Sequence, residues 1–376
     1  MSDAGRAEAA DAINSLVTSG GTDIAGGLSA GIRILKERRL RNPVASIILL
    51  SDGIDTMGLP PSARSVGPIH TFGFGANHDP TIMHAVAEAT GGTFSFVEEE
   101  AAVSDAFAAC LAGLLSVVAQ YLHLTICSAS PGVHLTSVGT GNYSSRISDQ
   151  RLMAVIEVGD MYAEEEKFFL LDVTVPIKED KNDPSMQLIS VYCSYVDPLT
   201  QDIIHVEEER TIVRRPDSLS PEDEIANLIV DGQRNRILVA ESIAEAQAKA
   251  DGGDLKGAKA VLDARRAALV ASSSALAGDE LCAWLDKELI EIGERIANRR
   301  AYEKSGRAYM LSGMSSHSWQ RAAMRGHSTM LTSAPASVTF QTQVMTEMLD
   351  SSREWSQELL LDGRRSASQP PEGRLQ

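Results

Sequence analysis

The sequence predicts a multidomain α and β protein: a doubly wound α/β sheet, then a β-sandwich, then an α-helical region. Three observations carry this. Helical and strand-like stretches alternate up to about residue 120. Short β-rich runs then follow one another without helices to about 216, and glycine-separated helical stretches occupy 217–310. At 376 residues the chain exceeds what one core holds, so more than one domain is expected.

Residues 6–18 read as a helix with Ala10, Ile13, Leu16 and Val17 on one face, ended by Ser19-Gly20-Gly21. Thr22-Asp23 opens a second helix whose stripe is Ile24, Leu28, Ile32 and Leu35. Asn42-Pro43 breaks the chain, and the apolar run Val44–Leu50 reads as a strand buried on both faces of a parallel sheet. It ends on Ser51-Asp52-Gly53. A second strand spans Ile69–Phe74. Asp79-Pro80 starts a helix running to Thr90, stopped by Gly91-Gly92. Thr93–Val97 is a third strand, and Val103, Phe107, Leu111, Leu114 and Val118 stripe another helix.

From residue 121 the β-rich runs are Tyr121–Ile126, Val133–Val138, Arg151–Val158, Phe168–Val175, Gln187–Tyr195 and Ile203–Arg214, divided by turn-formers such as Pro131-Gly132 and Asp197-Pro198. Ser220-Pro221 marks a new helix start. Helical stretches cover roughly 222–250, 254–274 and 279–304, the third with Leu281, Leu285, Leu289, Ile292 and Ile296 at helical spacing. No fixed-period repeat is evident, which favours a bundle over a solenoid. After Met310 the residues turn small and polar, and the last dozen read as disordered.

Composition narrows the function. Basic residues number 34 against 51 acidic, a net charge of −17, which repels nucleic-acid backbones and anionic membranes. The four cysteines, Cys110, Cys127, Cys193 and Cys282, form no CxxC pair and read as reduced thiols. The first residues have neither the basic nor the apolar segment of a signal peptide, and no apolar run is long enough to span a bilayer. A cytoplasmic or nuclear rather than secreted protein is expected.

The informative pair of motifs is Gly20-Gly21-Thr22-Asp23-Ile24 and Leu49-Leu50-Ser51-Asp52-Gly53. Together they bring a hydroxyl and a carboxylate to the C-terminal end of a parallel sheet, where ligands of open α/β sheets sit. Such oxygen ligands suit a hard divalent cation. In these motifs the chain resembles the von Willebrand factor A (vWA) family, with Thr22 and Asp52 on the threonine and last aspartate of its metal-ion-dependent adhesion site. The segment from Gly20 to Thr56 is similar to plant proteins that join a RING finger to a vWA domain, the wavy-growth group of RING-type ubiquitin ligases. The later segments Gly313–Ala322 and Phe340-Gln341-Thr342 extend that resemblance, which covers roughly residues 6–350.

Two departures are as informative. The family's vWA domain opens with a strand ending in Asp-x-Ser-x-Ser, which supplies three metal-site residues, and no such motif occurs here. Nor can four scattered cysteines fill the two zinc sites of a RING. The resemblance therefore implies a partial vWA sheet over 1–120, a β-sandwich over 121–216, a helical region over 217–310, an irregular cap over 311–350 and a disordered tail over 351–376. Thr22 and Asp52 would form a degenerate metal site, taking Mg²⁺ only if the missing strand is supplied elsewhere; otherwise no cofactor is expected. In the family topology that strand lies beside Val44–Leu50, so the run becomes an exposed apolar edge open to self-association. The α/β part is then expected to be weak and residues 121–310 to fold independently of it.

Plainer readings stand beside these. Thr22 serves equally as an ordinary N-cap and Asp52 as a turn residue. His317 and Trp319 read as a structural cap packed on the helical bundle, and His70, His84 and His123 as isolated histidines. No nucleophile elbow, phosphate loop or dinucleotide fingerprint occurs, so catalysis is not expected. The expected function is protein binding, as an adaptor or competitor related to the RING ligases. Its partners would be ubiquitin-pathway substrates or a full-length paralogue, with neither nucleic acid nor membrane. The alternatives are metal-dependent ligand binding through a site completed by another chain, and a truncated gene model of a full-length E3 ligase.

Overall fold

The computed structural model describes residues 2–17, 20–55, 67–177, 185–216, 218–221, 223–326 and 340–367, with side chains to residue 355. The first helix, α1 (Asp3–Asn14), is capped by the Ser2 hydroxyl and buries none of its residues. Helix α2 (Ile24–Glu37) starts where Asp23 accepts from the Gly26 N–H, and it buries Ile24, Leu28 and Ile32. Strands β1 (Ile47–Ser51), β2 (Ile69–Phe74) and β3 (Phe94–Val97) are parallel neighbours in that order. Helix α3 (Pro80–Thr90) joins the last two; Asp79 caps it and Gly91 leaves it at φ 79°. Helix α4 (Val103–Leu115) follows a short 3₁₀ turn.

The chain then enters seven strands: β4 (Val117–Ser128), β5 (His134–Gly139), β6 (Ser144–Ile147), β7 (Met153–Tyr162), β8 (Leu170–Thr174), β9 (Ser185–Val196) and β10 (Ile203–Arg214). Five form an antiparallel sheet in the order β10-β9-β4-β7-β6, and β5 pairs with β8. Ala119, Ile126, Ile156 and Leu135 meet in a core shared by these strands. The sequence does not announce β6, because Ser144, Ser145 and Arg146 lie exposed on an edge and need no apolar alternation.

Helices follow: α5 (Leu228–Asp251), α6 (Leu255–Val270), the short α7 (Ser273–Leu276), α8 (Glu280–Arg295), α9 (Arg299–Ala301) and α10 (Arg307–Trp319), the last two joined by a π turn. The expected start near residue 222 shifts to Leu228, because Asn227 provides the cap, accepting from Ile229 and Val230. Residues 311–319, expected as part of an irregular cap, are helical. A two-residue strand β11 (Arg325–Gly326) adds parallel to β3, and α11 runs Gln343–Ala367, where disorder was expected from 351. Burial explains the start of that last helix: Met345 and Leu349 are buried one turn apart.

The α/β sheet therefore reads β1-β2-β3-β11, with β1 at one edge. The expectation that Val44–Leu50 is buried on both faces gives way here: Ile47, Ile48 and Leu49 are half-buried and Leu50 is 50% exposed. The helical region does not stand apart from this sheet. Ile69, Met83, Phe94 and Phe96 share one continuous core with Ile243, Leu285, Leu289, Tyr309 and Met310. Independent folding of residues 121–310 is thus replaced by a common core, because α10 lies directly on α3 and β3. Among the described residues no helix is long and apolar enough to cross a membrane.

Candidate functional site

At the C-terminal end of β1 the Thr22 side chain lies against Gly53, the residue after Asp52. A Cβ on Gly53 would lie 2.1 Å from the Thr22 hydroxyl oxygen, so glycine is what lets that hydroxyl approach the Asp52 turn. Ser51 holds the turn through its hydroxyl, which donates to the Gly53 carbonyl at 3.2 Å. The Asp79 N–H donates to the same carbonyl at 3.3 Å, tying in the start of α3. Asp52 itself is exposed.

Asp55 is the residue that sequence reasoning passed over. It is buried, and its carboxylate accepts from the backbone N–H groups of Ile24 at 2.6 Å and Ala25 at 3.3 Å. It thus neutralises the orphan donors and the positive end of α2 across 31 residues of sequence. The available signal was a second aspartate just beyond a buried strand, facing a Gly-Gly-Thr-Asp helix start.

A divalent ion of the Mg²⁺ type needs about six oxygen ligands in near-octahedral array. Here Asp23 caps Gly26 at 2.7 Å and Asp55 is engaged by two amides, leaving one hydroxyl and one carboxylate. Among the described residues no group of three or more His, Cys, Asp or Glu is placed to hold a metal. The residues present do not by themselves fit a resident ion.

His317 and Trp319 belong to a different place, the junction of all three parts of the molecule. His317 is buried, with Nε2 2.8 Å from Glu288 Oε2, and Glu288 in turn takes a hydrogen bond from Arg325. Burial works to raise the Glu288 pKa, but Arg325 and His317 hold it below the usual carboxylate range. Burial lowers the His317 pKa against the pull of Glu288. Trp284 and Phe340 meet the His317 ring edge-on, and Arg236 donates to its carbonyl at 3.1 Å.

Two residues on, Trp319 turns to the sandwich. Its ring meets Tyr143 edge-on at 5.1 Å, and its carbonyl accepts from Tyr143 at 2.5 Å and from the Lys167 ammonium at 3.1 Å. Arg321 then reaches Glu165 at 2.9 Å and stacks over Tyr162. Burial would raise the Glu165 pKa, but Arg321 and Lys167 hold it down at about 2, while burial lowers Lys167 to about 7. Finally the Met324 N–H donates to Ser95 at 3.1 Å and Arg325 enters the α/β sheet as β11. The segment 315–326 is a strap that touches the helices, the sandwich and the sheet in turn. Of the other histidines singled out in the sequence, His70 lies on Thr93, His84 beside Glu88, and His123 is exposed on β4.

Comparisons with known proteins agree with this architecture. The von Willebrand factor type A domain family matches residues 1–96, and the VWA / Hh protein intein-like family matches residues 279–354. E3 ubiquitin-protein ligase WAV3 of Arabidopsis thaliana is 27% identical over 305 residues, spanning 78% of this chain and 38% of that protein. The probable E3 ubiquitin-protein ligase WAVH2 of the same plant is 29% identical over 291 residues, spanning 75% of this chain and 38% of that protein. The chain therefore spans about two fifths of the length of these curated relatives. A solved von Willebrand factor type A protein from Catenulispora acidiphila superposes with a TM-score of 0.58 at 19% identity, covering 77% of this chain and 68% of that one, a likeness of fold. The chain carries a von Willebrand factor type A domain and is a homologue of the plant vWA-domain E3 ubiquitin ligases.

Proposed function

We propose that the chain is a protein-binding module of the vWA type that engages ubiquitin-pathway partners as an adaptor or competitor and transfers no ubiquitin itself. The observation that carries this reading is the edge of the α/β sheet at β1. Its apolar run is paired on one side only among the described strands, with Leu50 half-exposed. Such an edge is a template for another polypeptide, through main-chain hydrogen bonds and alternate side chains. Self-association through residues 44–50 is one outcome of that surface; a strand from a full-length paralogue is the other.

The test is affinity capture of the chain at native level, beside its Leu50→Lys variant, read by mass spectrometry. Ubiquitin-pathway proteins captured by the parent and lost from the variant support the reading. Capture indifferent to Leu50→Lys overturns the role of the edge. Ubiquitin chains formed by the purified protein with activating and conjugating enzymes alone overturn the non-catalytic part.

The approach of Thr22 to the Asp52 turn favours a second reading, a metal-dependent site completed by another chain. Titration calorimetry discriminates. Two leftover ligands should hold Mg²⁺ only at about millimolar levels or beyond, whereas micromolar binding lost in Asp52→Ala would favour this second reading.

A further inference from the structure

A cleft of about 1010 Å³ separates the end of α2 and the start of β1 from β4, β7 and the end of α10. It reaches Pro43 and Ala45 just ahead of β1, but neither Leu50 nor the Thr22 and Asp52 turn lines it. Four features of its wall point to a ligand.

The first is charge. The run Lys36-Glu37-Arg38-Arg39-Leu40-Arg41 is a basic island in a chain of net charge −17. Arg38 and Arg41 both line the cleft. Arg38 donates to the Asn42 carbonyl at 3.2 Å, and neither arginine meets a carboxylate among the described residues. The second is a set of unpaired donors. Arg38 Nε, Asn142 Nδ2 and Trp319 Nε1 are buried and find no acceptor among the described protein atoms, and all three residues line this one cleft. A buried donor left unpaired costs about 1–3 kcal/mol, so three around one cleft, Arg38 on the α2 side and Asn142 and Trp319 across from it, call for acceptors from outside.

The third feature is Tyr121. A register shift between Ala119 and Leu122 bulges β4, and Tyr121 takes a left-handed conformation at φ 52° while remaining 65% exposed. Left-handed backbone costs a non-glycine residue about 1–2 kcal/mol. Here the conformation sets an aromatic ring on the rim of the cleft rather than in a core. The fourth is size: the volume far exceeds one ion and reaches the top of the range of about 300–1,000 Å³ typical of small-ligand pockets. The opposite wall carries Glu88, Glu157 and Asp160, so the anionic groups of a ligand would face α2.

We propose that this cleft binds an extended acidic peptide segment of a partner protein. Carboxylates would be held by Arg38 and Arg41, backbone carbonyls by Asn142 and Trp319, and an apolar side chain by Tyr121. Arginine, tyrosine and tryptophan are the residues that dominate protein-interface energetics, and arginine clusters read acidic motifs. The proposal rests on the protein-binding reading above but uses a separate surface.

A fluorescein-labelled peptide of alternating glutamate and glycine carrying one central leucine, titrated by anisotropy onto the full chain, tests it. Saturable binding that falls with added salt is expected, with a lysine-glycine peptide failing to bind. Arg38→Glu and Arg41→Glu should each weaken binding by about tenfold. Tyr121→Gly should weaken it by about fivefold while leaving thermal stability equal or higher, since glycine relieves the left-handed backbone. A merely structural tyrosine would move stability and leave binding alone. Binding unchanged in Arg41→Glu, no saturation, or saturation by inorganic phosphate with none by the peptide overturns the proposal. Leu50→Lys should keep peptide binding in full. Loss of partner capture with peptide binding intact therefore indicts the β1 edge, and the converse indicts the cleft.

Discussion

Glu288 lies between His317 and Arg325 with 1% of its surface exposed, joining α8 to both ends of the strap. A buried carboxylate with two such partners is costly to remove, because the partner charge stays behind without compensation. Glu288→Gln keeps the shape and deletes the charge, leaving the Arg325 guanidinium 8% exposed and unneutralised. The expected loss is about 3–5 kcal/mol, seen as a lower urea midpoint. Replacing Glu288, His317 and Arg325 together by apolar residues should cost less than the single change. A single variant within about 1 kcal/mol of the parent would show that the cluster is not what fastens the strap.

His70 makes a second prediction at this scale. Thr93 donates its N–H to His70 Nδ1 at 3.2 Å, and burial, with Arg321 nearby, lowers the His70 pKa from 6.5 to about 3. The folded protein therefore resists a proton that the unfolded chain accepts. Stability is complete above about pH 6.5 and falls as pH drops toward 3, with about 2 kcal/mol lost by pH 5 from this residue. Burial lowers His78 and His84 in the same direction. His70→Asn keeps an acceptor for Thr93 without titrating, so its urea midpoints at pH 7 and pH 5 should lie closer together than those of the parent. An unchanged gap assigns the pH dependence elsewhere.

Among the elements, two glycines of opposite kind are instructive. Gly92 ends the turn from α3 into β3, where an added Cβ would stand 2.0 Å from the Ile69 carbonyl oxygen. That neighbour is backbone of β2, so it cannot rotate aside. Gly92→Ala should cost at least about 2 kcal/mol by thermal melting. Gly27, exposed in the first turn of α2, meets nothing within 4 Å. Gly27→Ala should stabilise by about 0.5–1 kcal/mol, helix propensity acting alone. Equal effects of the two changes would contradict the packing of β2 against the turn. Strands and helices with an apolar rhythm, such as α2, α8 and β1–β3, are legible in the sequence. The two-residue β11 is not, since Arg325 and Gly326 carry no strand pattern and pair with β3 only after α10 has set them there.

At the scale of the whole molecule, the shared core of sheet and helices predicts one cooperative unit where the sequence suggested separable ones. Phe94 and Phe96 are fully buried together with Leu285, Leu289 and Tyr309. Hydrogen exchange should therefore protect the amides of Phe94–Val97 as strongly as those of α8 and α10, in a single unfolding transition. Exchange of the α/β strands well ahead of the helices would restore the modular view. The outer parts, α1 with no buried residue and the edge at β1, should exchange first.

The sequence by itself determined the fold class and the relationship to the vWA ligases. Both rest on local signals: hydrophobic period, helix caps, and short motifs such as Gly-Gly-Thr-Asp and Ser-Asp-Gly. The same signals assign Thr22 and Asp52 to the end of a parallel sheet where strand ends and helix starts converge; the structure sets the Thr22 hydroxyl against Gly53. Only the tertiary structure decided that Asp55 caps α2, that His317 meets Glu288 across 29 residues, and that Arg38, Asn142 and Trp319 share one cleft. Those pairings join residues far apart in the chain whose types are ordinary alone. Their meaning comes from burial, which turns a surface charge or an amide into a group that must find a partner.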